Sequence, residues 1–574
     1  MRTIEERRGT CRTMQNYHKH SVWSNILSRG DSVVFQEDYA KRAVELGHKV
    51  LSSVEHGWQG YYFETYELAQ KYGLKFVFGT EAYWVKDRHL PDNTNCHMVI
   101  LAKTEKGRRA INAMLSTANE DGYYYRPRVD LELLMGLPEE DVVITTACVA
   151  GWDYGLEESE ELFLQLYSKF GSNFFLEIQY HNIPLQIEIN RHILTMHEKY
   201  GIEMIVALDS HYISTDQLVE RDELLKSNDI HFENEQGMLL DYPDDDEVRR
   251  RFAEQGVFTP EQVQKAMDNT DICLAFEDYA KDNRIFSTDI KIPTIFPDKT
   301  QEEKNSLYRR LITRQFKKFM EYVPKERYKE YWRAVKDEVD TYIDTNLVDY
   351  PLMDYAIVEL AKKRGGMITT TGRGSAASYL TNTLCGFSQV DRLNSPIKLY
   401  PDRFISKTRI LETHSLPDLD LNLGNVDVFA QAQEDILGHD HAIPMAAFGT
   451  AKKKAAFKIY ARAKDMDFAL ANLISSQIEK YDKAMANAED DEKDTIDIYD
   501  YVDEKYRPYI EGSKRYWGII TDRKKAPSAY LLYQGSIREE IGLIKCKSET
   551  TKKEYMVAVI DGAVAEHYKF LKND

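Results

Sequence analysis

Hydrophobic and polar positions change rhythm several times along this chain of 574 residues. Over residues 1–230, short apolar runs such as Phe76-Val77-Phe78 and Met204-Ile205-Val206-Ala207 alternate with amphipathic stretches of helical period, the rhythm of repeated βα units. Residues 231–300 are acidic and punctuated by prolines, which predicts a connecting region. From 301 to 440 the pattern predicts long helices leading into a glycine-serine turn and an acidic strand. Residues 441–510 predict helices with Ala- and Lys-rich faces and an acidic tip. Residues 511–574 return to strands, at Ala529-Tyr530-Leu531-Leu532-Tyr533 and Met556-Val557-Ala558-Val559-Ile560. The expectation is an α/β multidomain protein with more than one core.

Two segments carry candidate chemistry. The turn Thr371-Gly372-Arg373-Gly374-Ser375-Ala376-Ala377-Ser378 has glycines that let backbone approach a phosphate, and its Ala-rich end predicts a helix whose N-terminal N–H groups favour an anion. Arg373 can add a charge-assisted bond. Further on, Leu416-Pro417-Asp418-Leu419-Asp420-Leu421-Asn422-Leu423 reads as a strand. Its period of two sets Asp418 and Asp420 on one face, on the order of 7 Å apart, with the leucines turned into the core. Two carboxylates so spaced can share a pair of Mg²⁺ ions in nucleotidyl transfer. Alone, each segment is more often an ordinary turn or a solvated strand face.

In this order the segments resemble the palm of the C-family bacterial replicative DNA polymerases, the DNA polymerase III α subunits, which carry G-R-G-S-A-A-G and then P-D-x-D-x-D-F. The match runs through Gly372 to Ala377, Tyr400-Pro401-Asp402-Arg403-Phe404 and Pro417 to Asp420. It continues in Phe448-Gly449-Thr450-Ala451-Lys452-Lys453-Lys454-Ala455-Ala456, similar to the family's F-G-T-x-x-x-K-A-A. Ser378 stands in place of a glycine, and Asn422 in place of a third acid that is not a principal metal ligand in the family. The resemblance implies catalytic Asp418 and Asp420 with Mg²⁺, and nucleotide phosphates at Gly372, Arg373, Gly374, Ser375 and Arg403. It also implies DNA contacts from Lys452, Lys453, Lys454 and Lys458 on a helical thumb.

The first two hundred residues hold a second constellation: His18, His20, Asp31, His56, Glu81, His97, Cys148, Asp209 and His211, at the ends of alternating strand-like and helix-like segments. His-x-His and Asp-x-His pairs on strands project to one face, so two such pairs can feed one cluster. Any single histidine here is more often a satisfied polar residue of the core. The ordered set resembles the PHP (polymerase and histidinol phosphatase) domain, a distorted (β/α)₇ barrel that opens the same polymerases. Asn25 is the alternative to Asp31. Val99 to Lys103, Gly122 to Asp130 and Phe175-Leu176-Glu177-Ile178-Gln179 resemble the family's connecting motifs. Mixed ligands suit Zn²⁺ or Mn²⁺, and clustered ions can activate water toward a phosphodiester. The resemblance implies a 3′→5′ exonuclease; a zinc-stabilised fold without turnover is the alternative. The expected architecture is a PHP barrel over 1–230, a connection over 231–300, a nucleotidyltransferase-like α+β palm over 301–440 and 511–574, and an inserted thumb over 441–510.

A formal charge of −19 opposes nucleic-acid binding in sum, but distribution matters more. Acid gathers in Asp244-Asp245-Asp246-Glu247 and Glu489-Asp490-Asp491-Glu492. Basic residues gather around Lys452-Lys453-Lys454, with Lys458, Arg462 and Lys464, and around Arg309-Arg310, with Arg314, Lys317 and Lys318; the second group is equally a solvated face. The six cysteines form no C-x-x-C pair, and neither a long apolar run nor an apolar leader is present, which predicts a reducing, cytoplasmic setting and no membrane. By resemblance the chain ends before the palm's third aspartate. The expectation is therefore an N-terminal polymerase portion, whether truncated, split or a remnant. Its partners would be primer-template DNA, dNTPs and a C-terminal polymerase polypeptide, with a sliding clamp bound only through that missing part. The alternatives are a stand-alone PHP metallo-exonuclease with an inactive palm and a non-catalytic DNA-binding fragment.

Overall fold

The computed structural model describes residues 13–573 apart from 29, 95, 233–234, 280–282, 371, 490 and 549–551, and describes the backbone alone at 216. Thr371 and Asp490, named above, and Cys11, one of the six cysteines, lie outside the described residues. The chain divides into two compact units. One holds the residues up to 280 together with 448–523, the other 281–447 together with 524–574.

The first unit is built on a mixed eight-stranded sheet curled into a half-barrel. Its strands are β1 (Val50–Ser53), β2 (Lys75–Trp84), β3 (Cys96–Ala102), β4 (Tyr123–Tyr124), β5 (Arg126–Val129), β6 (Val142–Thr145), β7 (Phe174–Ile178) and β8 (Met204–Val206). They run in the order β4-β5-β2-β3-β6-β7-β8, with β1 also paired to β2. Helices follow β1, β3, β6 and β7, and strands covered on both faces need apolar residues on both. Cys96-His97-Met98-Val99-Ile100-Leu101-Ala102 meets that need and is buried throughout. Inside the curl, Tyr17, Val50, Val77, Val99, Val143, Phe175 and Ile205 form one core.

Residues 448–523 add a helical layer to this unit. Helices Lys453–Ala463, Phe468–Asn487 and Arg507–Ser513 share a core of Phe457, Ile474, Ile478, Tyr481, Ile498 and Ile510. The first is tied to helix Leu218–Ser227 through Lys226, which donates to Ala463 O at 2.9 Å, and through Lys464 and Tyr516, both bonded to Glu223. Phe448 sits edge-on to Trp23 and Tyr61, with ring centroids 5.1 Å from each.

In the second unit, helices Gln301–Phe319, Tyr328–Asp344, Asp349–Lys363 and Val426–Leu437 pack around Tyr308, Tyr342, Tyr350, Ile357 and Phe429. Thr300 and Glu303 close the first of these with a capping box. Strands β9 (Ala442–Thr450), β10 (Ile520–Leu532), β11 (Leu543–Lys547), β12 (Glu554–Ala558) and β13 (Leu571–Asn573) form a sheet in the order β11-β12-β9-β10-β13. Among the described residues no helix is long and apolar enough to cross a membrane.

Two local expectations are corrected here. The Ala-rich run after the glycines is not one helix: Ser375–Ser378 makes a single 3₁₀ turn, Tyr379 is extended, and a separate short helix spans Leu380–Leu384. The cause is the buried Glu338, whose carboxylate accepts from Leu380 N at 3.0 Å and Thr381 N at 2.7 Å and so starts the second helix there. The Asp418-Leu419-Asp420 segment is extended without joining a sheet. Leu419 N donates to Tyr350 OH at 3.0 Å, and among the described residues backbone pairing is confined to Thr369 N with Asn422 O and Gly424 N with Met367 O. The alternation survives, with Leu419 and Leu421 buried and Asp418 and Asp420 turned outward.

Glu338 also accepts from Arg392 Nε at 2.8 Å. Glu338→Ala strands that guanidinium and two N–H groups, and is expected to cost about 3 kcal/mol in denaturant unfolding. A second prediction concerns Asp354, whose Oδ1 accepts from Asn573 Nδ2 at 3.0 Å while its Oδ2 is buried without a partner. Burial pushes this carboxyl up to about 7, against about 3.9 in an unfolded chain. The folded state keeps the proton that the unfolded state loses, so stability falls as pH rises from about 4 to about 7, by about 4 kcal/mol in all. Asp354→Asn is expected to flatten that slope in pH-dependent urea melts.

Candidate metal centre and acidic turn

Every candidate ligand of the first unit converges on one end of the curled sheet. His18 and His20 flank Lys19, which bridges to Ser210 beside Asp209 and His211. His56 bridges to Glu81 on β2, and the β2–β3 register pairs Glu81 with Val99 and Tyr83 with His97, so Glu81, Tyr83 and His97 share one face. Cys148 follows β6, with its Sγ 3.5 Å from His97 Nδ1. The backbone is forced here: Asp209 and Ala147 both sit at positive φ, +48° and +56°, the kind of strain that surrounding structure has to hold.

Glu81 is the hub. Its Oε1 lies 3.0 Å from His97 Nδ1 and 3.2 Å from His18 Nε2, and its Oε2 lies 2.6 Å from His56 Nδ1 and 3.3 Å from His20 Nε2. Asp209 Oδ1 stands 3.4, 3.2 and 3.6 Å from His18 Nε2, His20 Nε2 and His211 Nδ1. Asp31 Oδ2 stands 3.0 Å from His56 Nε2 and 3.2 Å from His211 Nε2. Three ligand trios result: His20, His56 and His211; His18, His20 and Asp209; and His56, Glu81 and His97.

Burial opposes charge at each of these groups, and the neighbours outweigh it. Glu177, Asp209 and Glu81 hold His18 well above the usual imidazole range, and Asp31 does the same for His56 and, less strongly, His211. In return, His97, His18 and His56 hold the Glu81 carboxyl far below its ordinary value. His211 and His56 do so for Asp31, and His18 and His211 for Asp209. Burial pushes the Cys148 thiol up, and Glu81 and Asp209 add to it. Both Glu81 oxygens, Asp31 Oδ2, Asp209 Oδ1 and His97 Nε2 are nevertheless buried without a hydrogen-bond partner. Carboxylate oxygens packed among ring nitrogens in this way are satisfied by protons on those nitrogens or by cations, and this donor set fits a metal.

Several residues not expected as ligands, and Asn25, the alternative to Asp31, hold the ligands in place. Glu177 accepts from His18 Nδ1 at 2.9 Å, Tyr17 OH at 3.0 Å and Thr145 Oγ1 at 2.7 Å, leaving His18 Nε2 facing the cluster. Ser24 Oγ lies 3.0 Å from His20 Nδ1 and donates to Glu55 at 2.6 Å. Arg221 grips Asp31 through both its carbonyl and its carboxylate. Asn25 Oδ1 accepts from Asp31 N and Ser32 N, so Asn25 fastens the loop that presents Asp31. A carboxylate such as Glu177 amid an apolar strand was the available signal.

In the second unit the glycine turn and the paired aspartates meet. Gly374 has φ +59°, and a Cβ there would run into Asp420 Oδ2, so only glycine fits. Arg373 Nε lies 3.7 Å from Asp420 Oδ1, and Lys572 Nζ lies 3.6 Å from Asp418 Oδ1. Asp418 is 54 % exposed and Asp420 23 %. Arg403 is exposed at the end of the short turn Pro401–Arg403, which packs against the Ser375–Ser378 turn. Of the four lysines expected on DNA, Lys452 and Lys458 are exposed, Lys453 lies against the Tyr481 and Trp517 rings, and Lys454 pairs with Glu479.

Comparison with known families matches residues 16–181 to the PHP domain and residues 306–574 to the bacterial DNA polymerase III alpha NTPase domain. The chain joins a PHP domain to a DNA polymerase III alpha domain. It is similar to DNA polymerase III subunit alpha of Aquifex aeolicus, 26% identical over 500 residues, covering 81% of this chain and 41% of that protein. The Borreliella burgdorferi subunit is 25% identical over 490 residues, with 80% and 40% covered, and that of Chlamydia muridarum 24% over 581, with 88% and 44%. The chain spans about two fifths of the length of these curated relatives. Seven of the nine candidate ligands fall inside the PHP match; Asp209 and His211 lie beyond it.

Elemental analysis of the purified chain is expected to find bound metal that His20→Ala and Glu81→Gln each remove. Chelation is expected to lower the melting temperature of the wild-type chain by roughly 5–10 °C, and to leave that of Glu81→Gln unmoved.

Proposed function

We propose that this chain is a cytoplasmic DNA polymerase portion that joins a metal-dependent phosphodiesterase, acting as a 3′→5′ exonuclease, to a nucleotidyl-transfer face. The observation that carries the reading is the gathering of five histidines, His18, His20, His56, His97 and His211, around the buried carboxylates of Glu81, Asp31 and Asp209, with Cys148 beside His97. The mixed nitrogen, oxygen and sulfur donors suit Zn²⁺ or Mn²⁺, which when bound supply Lewis acidity toward a phosphodiester. The chain's own part is orientation: Glu177 fixes the His18 tautomer, Ser24 the His20 ring, and Arg221 the Asp31 carboxylate.

At the palm, the hard oxygens of Asp418 and Asp420 suit Mg²⁺. Gly374 lets the turn approach Asp420, where Arg373 and Ser375 can meet the phosphates of a dNTP. DNA would run along exposed Lys452 and Lys458, and a C-terminal polymerase polypeptide would carry any sliding-clamp contact. A second reading, phosphoesterase activity alone, is favoured by the two cations beside the aspartates: Lys572 and Arg373 already lie within 3.7 Å of their carboxylates.

A single gel separates the readings. The chain is incubated with a 5′-labelled primer-template, dNTPs, and Mg²⁺ or Mn²⁺, alone and with a polypeptide covering the remainder of the relatives. Extension that Asp418→Asn or Gly374→Ala reduces by about a hundredfold or more supports the palm. Shortening that His20→Ala abolishes supports the exonuclease. Shortening without extension in either mixture favours the second reading, and an unchanged primer overturns both.

A further inference from the structure

Residues 309–336 reverse the charge of the chain. They hold ten lysines and arginines against three glutamates, in a protein of formal charge −19. Of these cations, among the described residues only Arg327 and Lys336 pair with a carboxylate, that of Glu330 and that of Asp340. A basic surface without counter-charges of its own repels itself and draws an external polyanion.

The fold gathers this segment into an antiparallel pair of helices. Helices Gln301–Phe319 and Tyr328–Asp344 are joined through the turns Met320–Tyr322 and Lys325–Arg327. Ring pairs hold them side by side, Phe319 with Tyr331 and Tyr308 with Tyr342, centroids 5.9 and 5.4 Å apart. The inner side of the first helix buries Tyr308, Leu311 and Ile312 in the core that also holds Leu419. On its outer side Ser306, Arg310, Thr313 and Lys317, flanked by Arg309 and Arg314, line an open groove of about 400 Å³. From Ser306 to Lys317 that row runs about 16 Å at helical rise. Hydroxyls set among guanidinium forks and an ammonium suit a row of phosphates.

Aromatic rings are interleaved with these charges. Tyr322, at the tip of the pair, is 87 % exposed, and Trp332 and Tyr328 on the second helix are 55 % and 39 % exposed. Lys336 lies one helical turn beyond Trp332. Asp340 holds the Lys336 ammonium up while Arg309, on the other helix, opposes it, so the flank that carries Trp332 and Lys336 adjoins the basic face. Cations alone would serve an acidic peptide as well. Exposed rings among them favour bases, each of which offers a π-face. Those faces are open in a single strand, whereas a duplex keeps them in its own stack.

We infer that the outer face of this helix pair binds a single strand of nucleic acid, its phosphates on Arg309, Arg310, Arg314 and Lys317 and its bases on Trp332 and Tyr322. The face lies on the opposite side of the first helix from the core that backs Asp418 and Asp420, so it is a site apart from the acidic turn. It requires neither a metal ion nor nucleotidyl transfer.

The test follows the fluorescence anisotropy of a labelled oligothymidylate of about 16 nucleotides on the full chain as purified, without added divalent ion. Arg310→Gln, Arg314→Gln and Lys317→Gln combined are expected to weaken binding at least about tenfold and to reduce the salt slope by about 2. Trp332→Ala is expected to weaken it about fivefold or more, with rescue by Trp332→Phe. A strand carrying 5-iodouracil, irradiated on the chain, is expected to cross-link to Trp332 or Tyr322, located by mass spectrometry. Unchanged affinity and salt slope in the triple variant, or cross-links confined to the residues before 280, overturns the inference. Equal competition by polyglutamate of matched charge also overturns it and assigns the face to an acidic protein, and a duplex of the same length that binds as tightly removes the role given to the rings. Primer extension and shortening do not enter these readouts, so the exonuclease and polymerase readings stand or fall separately.

Discussion

The first unit depends on keeping three carboxylates together out of water. Glu81, Asp31 and Asp209 are buried within reach of five imidazoles, and their mutual repulsion is offset only by positive charge among them. Protons on the histidines meet that need in part, which is why His18 and His56 are held high and Glu81 far down. A metal ion meets it more completely, because one cation serves several ligand atoms at once. Strain at Ala147 and Asp209, and the hydrogen bonds from Glu177, Ser24 and Arg221, are the means by which the half-barrel holds this arrangement. Stability and chemistry in this unit are therefore the same problem.

The second unit solves a milder version of it. Asp418 and Asp420 remain outward, their charge met by solvent, Lys572 and Arg373. What the fold supplies is proximity: Gly374, at φ +59°, lies against the Asp420 carboxylate, which a Cβ there would displace. Glu338, from helix Tyr328–Asp344, starts the helix that follows the glycine turn and so sets where that turn ends. One buried carboxylate thus shapes the backbone that a phosphate would meet.

Helical residues 448–523 belong with the PHP-bearing unit, through Lys226, Lys464 and Tyr516 around helix Leu218–Ser227 and through the aromatic seat of Phe448. Packing inside this unit uses up part of the basic cluster. Lys453 and Lys454 are engaged by Tyr481 and Glu479, and Lys464 by Glu223, which leaves Lys452, Lys458 and Arg462 exposed to meet an external anion. Charge read along a chain overstates the charge available to a partner, because helices facing one another neutralise it internally.

Much was legible before any coordinate. The family, the α/β character and the strands at Phe76 and Met204 follow from residue type and local period, because backbone periodicity and ligand chemistry are written locally. The alternation that buries Leu419 and Leu421 was legible for the same reason. Tertiary structure alone decided whether an extended segment joins a sheet: Leu419 N is claimed by Tyr350, some seventy residues earlier in the chain. It decided that the Ala-rich run breaks at Tyr379, because Glu338 supplies a competing cap. It also made Glu177, Ser24 and Arg221 the keepers of the ligands. Such roles are set by desolvation and by which groups meet across the fold, and neither is a property of any stretch of sequence taken alone.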